Sequence, residues 1–342
     1  MSASRRPLRH AITTLGRLAG RPAVRRTLWL LAGCVVTASI LLALRSSLDE
    51  GGLTALRMFD SAAIAWPLAG GLVANVVGVW LSMRAWRVFV DGPSVDPRST
   101  TRIFYVGFLS KFVPGRVWGI LAQIEVGRAA GVDARRIVSA FFLSMATGLL
   151  AGALLGVATV PLAFEASFLA TTLVVAGTVA AVVVVAWPRL LTRAVRRAVT
   201  AAGRAEVVEA TPAEVRTSLL LATSGWVLSG AHVGLLSLAA GAGTGAAVVA
   251  GIGGFAAATV AGTLAVVFPD GIGVREVALT AVLAAILPLD GAIAIVLMSR
   301  LLCLVGEVLL CGSWLLVDLV RRRRGTPPDG TRQLVGAGAG ER

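Results

Sequence analysis

The sequence predicts an all-α fold, a polytopic integral membrane helix bundle of about eight transmembrane helices plus one re-entrant helical hairpin. Three observations predict it. Of 342 residues, 56% are hydrophobic and 15% charged, where soluble domains carry about 25% charged residues. The apolar residues fall in long runs, and at 1.5 Å per residue such runs reach across a hydrocarbon core about 30 Å thick. The arginines lie mainly in alternate loops, as the positive-inside rule requires. This composition excludes a disulfide scaffold, a disordered chain and a nucleic-acid binder. Topology accounts for the net charge of +14, which in a soluble chain would point to nucleic acid.

Eight crossings are expected, at 28–44, 61–83, 137–160, 168–187, 217–240, 246–268, 274–288 and 291–317. The seventh is short. A ninth apolar stretch, 103–124, is interrupted by Lys111, Pro114-Gly115 and Arg116. As two half-helices meeting at a Pro-Gly turn it enters and leaves on one side, and such backbone is tolerated only where protein or a watery cavity surrounds it. Segments 1–26, 84–102, 125–136, 188–216 and 321–342 hold 26 of the 31 arginines. Both termini are therefore expected in the cytoplasm of a plasma-membrane protein.

The organisation expected is a basic tail (1–26), one membrane domain (27–320) and a basic, poorly ordered tail (321–342). Within the domain, the basic loop 188–216 joins halves 27–187 and 217–320. Both halves read span, span, Pro-Gly break, span, span, which suggests an internal repeat. Breaks at matching places in two halves point to a transport site. The box Leu31-Ala32-Gly33-Cys34 resembles a lipoprotein cleavage site, but too short an apolar region precedes it. Cys34, Cys303 and Cys311 sit in apolar runs without metal-ligand spacing and read as small buried thiols.

The first break is Ser110-Lys111-Phe112-Val113-Pro114-Gly115-Arg116-Val117-Trp118-Gly119, followed by Gln123 and Glu125. Pro114 lacks an N–H and Gly115 tolerates positive φ, so one helix stops and another starts. A helix N-terminus offers unpaired N–H groups. With Lys111 and Arg116 beside it, the place suits a phosphate. The alternative is that both cations snorkel to the interface. The second break is Phe268-Pro269-Asp270-Gly271-Ile272-Gly273-Val274-Arg275-Glu276. Glu276 suits the helix start that follows. Arg275 does not, and is expected to answer to a partner or ligand; an ordinary tight turn with a surface ion pair is the alternative.

Arg300 and Glu307 in the last span and His232 in the fifth are costly in lipid and are candidates on that ground. Arg300 and Glu307 lie two turns apart, placed to share a partner or line one cavity. His232 alone reads as a packing residue. The small-residue runs Gly251 to Gly254 and Ala257 to Gly262 read as helix-packing faces. Trp66, Trp80, Trp187 and Trp314 lie near span ends, as interfacial anchors.

The two breaks carry a resemblance. The Pro114 to Gly119 stretch with Gln123 and Glu125, and the later Pro269 to Glu276 segment, resemble the signature segments of the lysylphosphatidylglycerol synthase transmembrane region family. The later segment is similar to that family's Pro-Gly-Gly-Leu-Gly-Val-Arg-Glu pattern, with Asp270 in place of a Gly. Arg300 sits where the family tends to have an Arg. The resemblance spans about residues 27 to 320. It implies a polytopic membrane protein, and in the lysyltransferases of the family this region moves an aminoacylated lipid between leaflets. Those members carry a large soluble catalytic domain, whereas this chain ends about 25 residues after its last expected span, so aminoacyl transfer is expected to be absent. The stretch Ser144-Met145-Ala146-Thr147 lacks the charged pair of many members, a departure from a lysyl-lipid substrate.

The expected function is that of a translocase or binding protein for an anionic lipid or a polyprenyl-phosphate-linked lipid. Lys111, Arg116, Arg275 and Arg300 would hold the phosphate. Glu125, Glu276 and Glu307 would balance charge or carry a coupled proton. Pro114, Gly115, Trp118, Gln123, Pro269, Asp270, Gly271 and Gly273 would shape the pocket and act as hinges. The expected partners are membrane lipids, with a cell-envelope enzyme as a further one. No cofactor or metal is expected, and without a nucleotide-binding loop ATP is not used directly. Two other classes compete, a non-transporting partner or scaffold of an envelope enzyme and a membrane-embedded transferase using a lipid-linked donor. A small-solute carrier is a variant of the main reading.

Overall fold

A computed structural model describes residues 61–92, 95–112, 117–157, 159, 187–201, 209–265, 271 and 273–324, and single positions 172, 176, 179, 183 and 186. In chain order the elements are α1 (Ser61–Arg87), α2 (Pro97–Leu109), α3 (Val117–Ala129), α4 (Ala134–Val157), α5 (Pro188–Ala201), α6 (Pro212–Ala239), α7 (Thr244–Val249), α8 (Phe255–Leu264), α9 (Val274–Leu283) and α10 (Leu289–Arg323). A short 3-10 turn, Ser110–Phe112, closes α2, and a π-helical turn, Ala250–Gly254, joins α7 to α8 without a break. Among the described residues, five helices are long and apolar enough to cross a membrane: Ile64–Arg87, Ala134–Val157, Pro212–Ala239, Thr244–Leu264 and Leu289–Arg323. The chain is a multi-pass helical membrane bundle.

Local sequence sets the helix ends. Asp96 accepts hydrogen bonds from the N–H groups of Arg98 and Ser99, and Pro97 opens α2, a combination that satisfies exposed donors and fixes φ. At α6 the Thr211 hydroxyl and the Glu214 carboxylate form a reciprocal capping box ahead of Pro212. Gly131 (φ 75°) and Gly241 (φ 91°) end α3 and α6 in the left-handed region.

The central pair is α1 and α6, antiparallel and in close backbone contact. A Cβ on Gly78 would overlap the Ser229 hydroxyl, and one on Gly71 would lie 2.9 Å from His232 Cβ. Small residues let apolar helices approach where no hydrophobic effect drives association. The small-residue run at the π turn does the same. A Cβ on Gly230 would meet Ile252 Cα at 2.7 Å, and Gly251 lies against Gly234.

Two apolar clusters lie toward opposite ends of the bundle. One holds Met83, Trp86, Ile103, Tyr105, Ile137, Leu143 and Cys311. The other holds Ile64, Val233, Leu236, Phe255, Leu279, Leu283 and Ile295. The arginine-rich helix ends gather beyond the first cluster: Arg84 and Arg87 close α1, Arg135 and Arg136 open α4, and Arg321, Arg322 and Arg323 close α10. Arg136 donates to the carbonyls of Phe89 and Asp91, tying α4 to the end of α1.

One expected crossing is corrected. Segment 274–288 contains only the ten-residue α9, about 15 Å of helix and half of a hydrocarbon core. Glycines at 271 and 273 with positive φ stand before it, a turn at 284–287 and Pro288 stand after it, and too few residues remain between for a full span. The expected span 28–44, most of 168–187, the tail 1–26 and residues 325–342 lie outside the described residues. So do Pro114, Gly115, Arg116, Pro269 and Asp270.

Candidate functional site

The first broken element is brought to the last span. α2 and α3 pack on each other, with Gly107 against Gln123 and Gly127 near Ile103, an antiparallel register in which each helix is about 20 Å long. α2 also runs along the second half of α10. The Tyr105 ring meets Trp314 edge-on at 5.6 Å. One and a half turns further, the Lys111 ammonium donates to Glu307 Oε1 at 2.7 Å. The same ammonium lies 4.6 Å from the Phe108 ring centroid and 5.2 Å from that of Phe112, within cation–π range. The Glu307 side chain is only 9% exposed and that of Lys111 24%, so the pair is largely withdrawn from solvent. Near the start of α2, outside the spans, burial holds the Arg102 guanidinium below its ordinary range; Arg322 adds to this, and Asp318 and Asp96 oppose it.

The second broken element reaches the same helix. Gly271 (φ 71°) and Gly273 (φ 87°) turn the chain in a conformation side chains resist, and Gly271 also lies against the backbone of Gly262. α9 starts there. Glu276 Oε2 accepts the Gly273 N–H at 2.7 Å, as a first-turn carboxylate should. Its other oxygen lies 3.7 Å from Arg300 Nη1 on α10. Arg275 is not a surface residue. At 8% exposure its guanidinium lies 5.0 Å from the Phe255 ring centroid and donates to Cys303 Sγ at 3.6 Å.

Cys303 joins these groups to α1 and α6. Its sulfur accepts from Asn75 Nδ2 at 3.4 Å and lies 3.8 Å from His232 Nε2. His232 Nε2 in turn meets the Ser299 hydroxyl at 2.7 Å, and Nδ1 faces the Ser229 carbonyl. His232 is a fully buried packing residue, in keeping with the reading from the sequence. The Asn75 carbonyl oxygen Oδ1 is buried without a hydrogen-bond partner.

Ser299, Arg300, Cys303 and Glu307 thus form a row on α10, at the three- and four-residue steps that share a helix face. Asn75 is near the middle of α1 and Glu307 near the middle of α10. The row lies toward the junction of the two apolar clusters, with Cys303 itself part of the second. It is a polar layer at mid-bundle, made by side chains from α1, the end of α2, α6, α9 and α10.

Arg300 and Glu307 do not share a partner: Arg300 lies by Glu276, and Glu307 holds Lys111. The charged groups meet one another directly. Burial explains both, because an ion withdrawn from water is held by the nearest opposite charge. Other expected site residues fall around the layer. Gln123 is buried with its carbonyl oxygen Oε1 unpartnered, Glu125 is half-buried, and Trp118 is 51% exposed. Cys303 and Cys311 are buried free thiols, and Cys34 lies outside the described residues. Sequence reasoning passed over Asn75, Ser299 and the joining role of Cys303. An amide in mid-span at Asn75 was the available signal.

The family model of the lysylphosphatidylglycerol synthase TM region matches residues 27–311. The chain belongs to this family. The match takes in both breaks and the whole row on α10, so the polar layer is a feature of this chain's family region. No curated protein matches the chain.

Proposed function

We propose that this family member is a translocase or transport-type binding protein for an anionic amphiphile, either a phospholipid or a polyprenyl-phosphate-linked lipid. One observation carries the reading: the cations of two separate helix breaks converge at mid-depth on one span, with Lys111 on Glu307, Arg300 on Glu276 and Arg275 at Cys303. Ionisable groups are expensive inside a membrane, and a purely structural bundle has no need of five on two breaks and one helix. In the resting arrangement carboxylates hold the cations. An entering phosphate takes the place of a carboxylate, and the displaced carboxylate takes up a proton, so no bare charge is left in low dielectric. Arg116 at the first break would add to the phosphate site. Glu125, Glu276 and Glu307 would take up the released charge or a proton. The Pro-Gly segments at 114–115 and 269–273 would act as hinges.

In this reading the protein lies in the plasma membrane and the chain passes through it eight times, the seventh pass shared between the break at 268–276 and the short α9, while α2 and α3 form a hairpin entering and leaving on one face. The arginine-rich end faces the cytoplasm, with both termini. The protein moves or holds its cargo without covalent chemistry.

The test is movement of fluorescent phosphatidylglycerol between leaflets of proteoliposomes. The parent is expected to accelerate it and Lys111→Gln to abolish most of the acceleration. A scaffold would give protein-free rates in both. Equal acceleration by parent and variant would remove Lys111 from the mechanism.

A further inference from the structure

A second anion site lies away from the polar layer, on α5. We propose that the cavity under α5 binds the phosphate-bearing headgroup of an anionic membrane lipid, separately from any transport route. α5 is amphipathic. Leu191 and Val195 turn one face to the apolar cluster around Trp86 and Leu143, while Arg189, Arg193, Arg196 and Arg197 are exposed. Arg189, Arg193 and Arg196 stand at four- and three-residue steps, one stripe on the helix. That stripe borders a cavity of about 490 Å³, with Leu143 of α4 in its lining and Thr192 and Glu209 beside the arginines. The volume falls within the range of small-ligand sites.

Charge decides the class of ligand. Glu209 pairs with Arg196. The guanidinium groups of Arg189 and Arg193 make no ion pair or hydrogen bond among the described residues. The cavity lining therefore keeps two uncommitted forks, each able to give paired N–H bonds to phosphate oxygens. Lipid is favoured over a free anion because Trp187 and Leu190, at the start of α5, are 61% and 46% exposed. An exposed Trp and Leu beside arginines on an amphipathic helix is the pattern of a helix lying in the headgroup region. The cavity also lies by the first apolar cluster, with Leu143 and Ala210 in its lining, toward the arginine-rich end of the bundle where headgroups would be.

The experiment titrates the full chain in detergent with phosphatidylglycerol, phosphatidylcholine or inorganic phosphate, and counts bound molecules by native mass spectrometry. Among the phosphatidylglycerol molecules the parent binds, one should be bound at least ~tenfold more weakly by Arg189→Gln/Arg193→Gln, since charge-assisted pairs are the strong ones. Arg189→Lys/Arg193→Lys should keep most of this binding, which separates lost charge from lost folding. In an Arg275→Gln background, where the mid-bundle layer is already altered, the double Gln substitution should cost the same binding, so this site stands or falls apart from the transport reading. Equal binding by parent and the double Gln variant would overturn the proposal. So would phosphatidylcholine binding as tightly as phosphatidylglycerol, or inorganic phosphate displacing the lipid at equal concentration.

Discussion

Replacing Lys111 by Met tests whether the end of α2 is fastened to α10 by charge. The substitution keeps a flexible side chain of similar length and removes the ammonium. Glu307, 9% exposed, then loses the cation 2.7 Å away. Removing one partner of a buried pair costs about 3–5 kcal/mol, because a charge is left desolvated. The low end applies, since Lys111 is about a quarter exposed. Two cation–π contacts go as well, each worth about 0.5–1 kcal/mol where exposed. A loss of about 4–5 kcal/mol is therefore expected for Lys111→Met. Glu307→Gln should cost less, about 1–2 kcal/mol, because the Lys111 stem is long enough to carry its charge toward water. The double variant Lys111→Met/Glu307→Gln removes both charges and should recover most of the loss. The assay is reversible unfolding of all variants in mixed micelles. A coupling energy of about 2 kcal/mol or more from the double-mutant cycle is expected. A coupling below about 0.5 kcal/mol would refute the claim that this pair ties α2 to α10.

Three other outcomes follow from the same geometry. Gly230→Leu, whose side chain would run into Ile252 at the π turn, should destabilise the bundle by about 1–3 kcal/mol in the same unfolding assay, as overpacking does. Glu276→Gln keeps a side chain able to accept the Gly273 N–H but weakens the pair with Arg300; stability should change by less than about 1 kcal/mol while lipid movement in proteoliposomes falls. Cys303, 4% exposed, should react with a thiol-directed reagent slowly at rest and several-fold faster when anionic lipid is supplied, read by mass spectrometry in a Cys34→Ser/Cys311→Ser background.

Composition and charge spacing were enough to place the long apolar helices, because hydrophobic length and arginine position are one-dimensional signals. The breaks at 110–119 and 268–276 were also visible, since Pro and Gly carry their conformational meaning locally. Glu276 as a helix-start carboxylate came from position alone. The pairing of Lys111 with Glu307 did not, because 196 residues separate them and no local rule says which span faces the hairpin. Cys303 looked inert for the same reason: its role comes from Asn75, His232 and Arg275, contributed by three other helices. The shortness of α9 reflects a balance between apolar content, which favours a span, and the flanking glycines and Pro288, which limit the helix. Periodicity does not weigh those against each other.

The central claim is that cations held at mid-depth on α10 engage an anionic headgroup. Its most direct measurement compares leaflet exchange of fluorescent phosphatidylglycerol and phosphatidylcholine in proteoliposomes bearing the parent, Arg275→Lys or Arg275→Gln, each checked for folding. The account predicts faster exchange of phosphatidylglycerol than of phosphatidylcholine by the parent, partial retention in Arg275→Lys and protein-free rates in Arg275→Gln. Folded Arg275→Gln protein moving phosphatidylglycerol at the parent rate would contradict it.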